Sequence, residues 1–180
     1  MRFLLLFSFP LLFLLSIHAQ EEPPKASESG SAFTAKEVEE FVAYHNKVRK
    51  EVKVEPVKWS PTLAKYAQKW ADHLAESGEF KHRPEEGEEK QKYGENLAIN
   101  ATLLKGAEAW YAEIKDYTAD TPIPEDLTNF KAGHYTQMVW KKTTQIGAGY
   151  AIVKQGPFKG SLVIVCNYDP PGNYLGEKPY

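Results

Sequence analysis

Gly133-His134-Tyr135-Thr136-Gln137-Met138-Val139-Trp140 is the stretch of sequence that decides how this chain is interpreted. Its residue pattern predicts a short helix or turn, with a histidine at the second position. Taken alone, His134 could be a capped histidine at the edge of a core, because titratable residues mark functional sites only statistically. The segments on either side of this stretch indicate the fold class.

The residues that follow predict two β-strands. Residues 145–154 and 160–168 have strand character, and Gln-Gly-Pro-Phe-Lys at residues 155–159 supplies a turn between them. Two strands separated by a short turn containing Gly and Pro are expected to pair as a hairpin.

The residues that precede the stretch predict three helices. Thr34 followed by Glu37 forms a capping box, and Ser60-Pro61 supplies an N-cap with proline in the first turn. Gly78 ends the second helix. The third spans roughly residues 103–117, with Leu104, Ala107, Trp110, Tyr111 and Ile114 expected to face inward. Helices followed by strands indicate a mixed α+β sandwich.

The N-terminus has the pattern of a targeting segment. Residues 1–19 combine one early charge, an apolar run and a small final residue, which is typical of a cleaved signal peptide. A retained membrane anchor is the alternative, but the run is shorter than the roughly 20 residues needed and contains Pro10. Residues 20–33 are rich in Pro, Ser and Glu and predict a flexible leader. The folded domain is then residues 34–180.

Charge and cysteine content narrow the functional classes. The chain has 22 Lys and Arg against 24 Asp and Glu, a net charge of −2, so it has no general attraction for nucleic acid or anionic membranes. The acidic run at residues 85–89 is most simply a solvated loop. Cys166 is the single cysteine of the sequence, which excludes an internal disulfide. Its apolar neighbours favour an inert buried thiol, with an intermolecular disulfide as the alternative.

Four titratable residues stand in distinctive local contexts: His82, Glu95, Glu113 and His134. Their spacing does not connect them, since no pair has the His-Glu-x-x-His spacing of a zinc peptidase. Taken singly, Glu113 could be a solvated helix position.

Three motifs resemble those of the CAP superfamily, which comprises cysteine-rich secretory proteins, antigen 5 and pathogenesis-related class 1 proteins. Residues 133–140 resemble its first signature, residues 163–174 its second, and residues 93–98 (Tyr-Gly-Glu-Asn-Leu-Ala) its central motif. The similarity covers about residues 36–180 in the right order. The tail, residues 172–180, is most similar to plant pathogenesis-related class 1 proteins.

The resemblance implies an α-β-α sandwich with a central antiparallel sheet. It also implies that His82, Glu95, Glu113 and His134 converge in one open cleft, with His82 the least distinctive match. Two imidazoles can bind a divalent ion such as Zn²⁺, so His82 and His134 are candidate metal ligands. The carboxylates would ligate, bridge through water, or fix the tautomer of each ring. The resemblance favours a binding protein over an enzyme, and no catalytic residue is assigned. Metal-dependent hydrolysis is the lowest-ranked alternative.

The resemblance also implies sterol or fatty-acid binding near the loop at residues 116–130. Tyr117, Ile123, Leu127 and Phe130 are its candidate lipid contacts, unless these side chains simply pin the loop to the core.

A defence or signalling role is the second hypothesis, acting through a protein partner or through release of residues 170–180 as a peptide. The alternative is that this tail folds across the sheet.

The cysteine content departs from the plant pattern. Ala132, Ala148 and Val153 lie in stretches where plant relatives carry disulfide cysteines. This departure leaves the host lineage open. We expect an extracellular protein without a stable membrane anchor, or a periplasmic one if the host is bacterial.

Overall fold

A computed structural model describes residues 26–180, so the predicted signal peptide and the first residues of the predicted leader lie outside it. The elements, in chain order, are α1 (Ala26–Ser29), α2 (Ala35–Glu51), β1 (Lys58–Trp59), α3 (Pro61–Ser77), β2 (Gly94–Asn100), α4 (Leu103–Tyr111), a 3₁₀ helix (Ala112–Asp116), α5 (Gly133–Met138), β3 (Gln145–Ile152) and β4 (Leu162–Asp169).

The four strands form one sheet in the order β1-β3-β4-β2. Strands β3 and β4 pair antiparallel, which confirms the predicted hairpin, and β2 pairs antiparallel with β4 on its other side. The two-residue strand β1 runs parallel to β3, so the sheet is mixed at that edge and not wholly antiparallel as expected. Strand β2, which contains Glu95, forms the opposite edge.

Alternating side chains of β4 divide the core into two layers. Val163 and Val165 pack with Ala67, Trp70 and Leu74 of α3. The intervening residues Ile164, Cys166 and Tyr168 point to the other face, where α2, α4 and α5 supply Phe41, Trp110 and Tyr135. Helices on both faces of the sheet give the expected α-β-α sandwich, because successive residues of a strand face opposite sides.

The predicted helix boundaries agree with the structure where a cap marks them. Thr34 and Glu37 form the capping box of α2, and Ser60 caps α3. Gly78 ends α3 in the left-handed conformation with φ 71°. The third helix differs, because α4 tightens into a 3₁₀ turn after Tyr111. The inward placement of Leu104 and Ile114 was wrong.

Those two side chains are each 37% exposed. Leu104 lies in the first turn of α4, and Ile114 lies in the 3₁₀ helix, where the period of 3.6 residues no longer applies.

The predicted flexible leader is wrong for residues 29–33, which are part of the folded domain. Phe33 is fully buried, with ring centroids 5.4 Å from Phe41 and 5.5 Å from Trp59. The Ser29 hydroxyl donates a hydrogen bond to the Phe33 backbone oxygen at 2.8 Å. The polar composition of this segment favoured disorder, but the buried Phe33 ring and hydrogen bonds from Trp59 to Ser29 and from Ala32 to Gln68 attach it to the domain.

Two glycines of β3 allow α3 to lie directly against the sheet. A Cβ atom at Gly147 would lie 2.2 Å from the backbone nitrogen of Ala64. A Cβ atom at Gly149 would lie 2.4 Å from Cα of Gln68. Both distances are far inside van der Waals contact, so any larger residue at either position would force α3 outward.

Cys166 is fully buried in this core, and burial raises the pKa of its thiol. This agrees with the inert buried thiol predicted from its neighbours. Between residues 26 and 180, no helix has both the length and the apolar character that crossing a bilayer requires.

Candidate functional site

An open cleft of about 400 Å³ lies beside the start of edge strand β2. All four predicted tetrad residues line it. The full lining is His82, Glu95, Asn96, Glu113, Phe130, Lys131, Gly133, His134 and Asn173. The structure therefore brings together four residues that their sequence spacing could not connect.

His134 and Glu113 form the first pair, on the α4 and α5 side of the sheet. Nδ1 of His134 lies 2.6 Å from one carboxylate oxygen of Glu113. The other oxygen accepts hydrogen bonds from the backbone N–H groups of His134 at 2.9 Å and Tyr135 at 3.3 Å. Glu113 thus joins the 3₁₀ helix to the first turn of α5 and fixes the position of the His134 ring.

His82 and Glu95 form the second pair, on the α3 side. Nδ1 of His82 lies 3.0 Å from Oε1 of Glu95. The Glu95 side chain is fully buried, whereas that of His82 is 52% exposed. The same carboxylate accepts hydrogen bonds from the Arg83 backbone N–H at 3.2 Å and from Asn167 Nδ2 at 3.3 Å.

Both pairs share one arrangement: Nδ1 of each histidine faces a carboxylate, which leaves each Nε2 as the available ring nitrogen. A carboxylate behind Nδ1 is the usual outer partner of a metal-ligating histidine. Within residues 26–180, no three His, Cys, Asp or Glu side chains are grouped closely enough to form a ready-made metal site. Each glutamate holds the orientation of its partner histidine ring through the Nδ1 contact.

A buried hydrogen-bond chain connects the cleft to the core. Asn96 Nδ2 donates to the backbone oxygen of His134 and to the Tyr168 hydroxyl, each at 3.0 Å. The Tyr168 hydroxyl lies 3.1 Å from Nε2 of His45, and Nδ1 of His45 lies 2.9 Å from the Phe41 backbone oxygen. Burial lowers the pKa of His45 to about 4, so its ring is neutral. Nδ1–H then donates to Phe41, and Nε2 accepts from Tyr168.

Arg49 holds the far end of α5. Its fully buried guanidinium donates hydrogen bonds to the backbone oxygens of Met138 at 2.9 Å, Trp140 at 3.1 Å and Thr143 at 2.8 Å. Burial lowers the pKa of Arg49 to about 10, which leaves it cationic at neutral pH. Sequence reasoning missed Arg49, Asn96 and Tyr168 as supports of the site, because each acts through contacts distant in sequence.

The C-terminal segment folds onto α5 and the preceding loop, not across the sheet as the alternative interpretation expected. Asn173 Nδ2 donates to the Gly133 backbone oxygen at 2.8 Å, and its Oδ1 accepts from Thr136 at 2.7 Å. The Tyr180 and Tyr135 hydroxyls lie 3.3 Å apart. Asn173 also lines the cleft, so the tail forms part of its wall.

The four candidate lipid contacts do not share one surface. Ile123 is 1% exposed, so for this residue the pinning interpretation is right and the lipid contact is wrong. The half-buried ring of Tyr117 packs between Tyr135 and Tyr180. Leu127 is 51% exposed, and Phe130 lines the cleft.

Comparisons with known proteins agree with the fold and with the motifs. The family model described as "CAP: Cysteine-rich secretory protein family" matches residues 42–168. Pathogenesis-related protein 1 of Arabidopsis thaliana is 36% identical over 145 residues, which cover 79% of this chain and 81% of that protein. Venom allergen 3 of Solenopsis invicta is 31% identical over 180 residues, covering 84% and 75%. Among solved structures, BmVAL-1 has a TM-score of 0.68 at 25% identity, covering 84% of each chain.

Proposed function

The chain belongs to the CAP family of cysteine-rich secretory proteins, and from this premise we propose that it is a secreted binding protein whose cleft takes a divalent metal ion, with Zn²⁺ the first candidate. His82 and His134 would be its ligands, each through Nε2. Relatives named as pathogenesis-related and venom proteins support the extracellular assignment.

One observation carries this proposal: two histidines line one cleft, and each has its own glutamate carboxylate at Nδ1. The Nδ1–carboxylate distances are 3.0 Å for His82 and 2.6 Å for His134. Each contact fixes the ring orientation and makes the remaining nitrogen a better donor. Neither glutamate needs to leave its partners for an imidazole to bind a cation.

A metal held by two imidazoles would keep several coordination positions open. Zn²⁺ usually has four ligands, so water or an oxygen of a bound molecule would complete the set. The ion would act as a Lewis acid there. Of this chain's own residues, Lys131 and Asn173 line the same cleft and could contact such a molecule. The arrangement supports recognition of an external ligand more than a closed structural site.

Calorimetric titration with Zn²⁺ tests the proposal directly. We expect saturable binding to the purified protein and at least a roughly tenfold loss of affinity, about 1.4 kcal/mol, in both His82→Ala and His134→Ala. His73→Ala is the matched control, since His73 is exposed and lies outside the tetrad. Equal affinity in all four proteins, or no binding to the unmodified protein, would refute the metal site.

Lipid or sterol binding is a second candidate function. It is supported by the two candidate contacts of the loop, Leu127 and Phe130, that are not packed into the core. Phe130 lines the cleft, and its backbone N–H donates to the Leu127 oxygen at 3.1 Å, which makes the two residues neighbours in one turn. Leu127 is 51% exposed. We propose that an apolar ligand would lie at this rim of the cleft, and not along the whole loop.

A further inference from the structure

The segment that carries His82 has no helix or strand of its own. Residues 78–93, between α3 and β2, are irregular, and side-chain contacts from α3 help to hold them in place. One is the Trp70 indole, whose Nε1 donates to the Lys81 backbone oxygen at 3.1 Å. Another group of contacts centres on Arg83, the residue directly after His82.

The Arg83 guanidinium is buried between two aromatic rings of α3. Its Cζ lies 3.9 Å from the ring centroid of Tyr66 and 4.9 Å from that of Trp70. Nη2 donates to the Tyr66 backbone oxygen at 2.7 Å. A stacked, hydrogen-bonded guanidinium has little freedom to move, so Arg83 attaches the irregular segment to the rigid helix.

Arg83 also contacts the carboxylate that orients His82. Its backbone N–H donates to Glu95 Oε1 at 3.2 Å, the same oxygen that faces His82. Its Nε lies 3.8 Å from Oε2, and no hydrogen-bond partner is present for this buried Nε within the described chain. The negative charge of the buried Glu95 carboxylate thus lies beside the Arg83 guanidinium, which is held against α3.

The outer end of this assembly is an exposed residue. Glu89 accepts a hydrogen bond from Arg83 Nη1 at 2.7 Å, and its own side chain is 57% exposed. Arg83 lowers the pKa of Glu89 through this contact. Because Glu89 lies outside the core, it can be truncated without creating a cavity.

We infer that Arg83 is a positioning residue that fixes the His82–Glu95 pair, and that Glu89 holds Arg83 in place from the loop. The effect of Arg83 and Glu89 on metal affinity rests on the proposed function of the cleft. Their effect on the local structure of the metal-free protein does not, so the effect on affinity and the effect on structure can be measured separately.

The test compares Glu89→Ala with Glu88→Ala, an equally charged and exposed neighbour. In the metal-free protein, we expect Glu89→Ala to speed hydrogen exchange at the Arg83 amide by about fivefold or more, since that amide's bond to Glu95 would open more often. We expect the Zn²⁺ dissociation constant to rise about three- to tenfold, at or below the usual effect of an outer partner. Glu88→Ala should change neither quantity by more than about twofold.

Arg83→Lys, which keeps the charge but loses the planar fork, should reproduce both changes. If Zn²⁺ does not bind the unmodified protein, the proposed function fails, and amide exchange at Arg83 alone decides the inference. Equal exchange and equal affinity in the Glu88 and Glu89 variants would overturn it. So would faster exchange spread throughout α3 and β2, because that pattern reports general destabilisation.

Discussion

The hydroxyl of Tyr168 lies 3.1 Å from Nε2 of His45, in the interior of the domain. Both side chains are fully buried. The same hydroxyl accepts a hydrogen bond from Asn96, which also holds the backbone of His134. The core and one wall of the cleft are therefore joined through a single oxygen atom, and its removal should affect both.

Tyr168→Phe removes that oxygen while keeping the ring. We expect a loss of about 1–3 kcal/mol in the free energy of unfolding, since His45 Nε2 loses its buried partner and Asn96 loses one of two acceptors. Chemical denaturation measures the change. Tyr150→Phe is the matched control, because the described residues provide no hydrogen-bond partner for the half-buried Tyr150 hydroxyl. Equal stability of the two variants would contradict a role for the chain of hydrogen bonds.

The neutral His45 predicts a pH dependence of stability. Its folded pKa of about 4, lowered by burial and further by Arg49, lies below the ordinary value of 6.5. Between pH 6.5 and pH 4, His45 is protonated in the unfolded chain but stays neutral in the folded protein. Protonation therefore favours the unfolded chain, so the free energy of unfolding is not reduced by His45 above pH 6.5 and falls as the pH falls toward 4. The loss amounts to about 3 kcal/mol at pH 4. Denaturation at a series of pH values measures it.

His45→Gln isolates this contribution from those of the carboxylates. Glutamine cannot titrate, but it can donate to Phe41 and accept from Tyr168. We expect the slope of stability against pH between 4 and 6.5 to be smaller in the variant. Parallel curves would show that His45 is not the group responsible.

Glu113→Gln tests the role of the carboxylate in orienting His134. The variant removes the negative charge. Its amide has one oxygen acceptor, so it cannot accept both from the His134 ring and from the backbone N–H groups of His134 and Tyr135 as the two carboxylate oxygens do. We expect Zn²⁺ affinity to fall about 10- to 100-fold, as for other outer partners of metal-bound histidines. Glu108→Gln, which changes an exposed charge on α4, should leave the affinity close to that of the unmodified protein. A similar affinity for all three proteins would remove Glu113 from the proposed site.

Substitution by aspartate should affect the stability of the protein very differently at the loop residues Leu127 and Ile123. Leu127→Asp should change stability by no more than about 0.5 kcal/mol, because the side chain is exposed. If sterols bind at the rim, this variant should bind a fluorescent sterol more weakly. Ile123→Asp should cost about 3–5 kcal/mol by burying an unpaired charge. Unchanged sterol binding by Leu127→Asp would exclude the rim as the lipid site.

The parts of the fold that could be predicted are those with a local chemical signal. Thr34, Ser60 and Gly78 mark helix ends because each has a defined capping geometry, and all three caps are present. Strand β2 has no such signal, since five consecutive residues are buried and two of them, Glu95 and Asn96, are polar. An alternating pattern was not available to reveal it.

The candidate site likewise contains residues that could be predicted from the sequence and residues that could not. The four tetrad residues could be found because the surrounding motifs resemble a family, and the structure places all four in one cleft. Ile123 was misplaced, because an apolar residue in a loop has the same sequence pattern whether it faces solvent or the core. Arg83 was not identified, since nothing in its sequence context indicates that Tyr66, Trp70 and Glu89 would surround it.

The close seating of α3 on Gly147 and Gly149 has a consequence for how variants of this protein should be interpreted. Any side chain at these positions would displace the helix that carries Tyr66 and Trp70. In a saturation mutagenesis screen, both glycines should therefore be as intolerant as the cleft histidines, although they contact no ligand. A map of tolerated substitutions would show a second cluster of essential positions on β3. That cluster would mark the surface against which α3 packs and not another binding site.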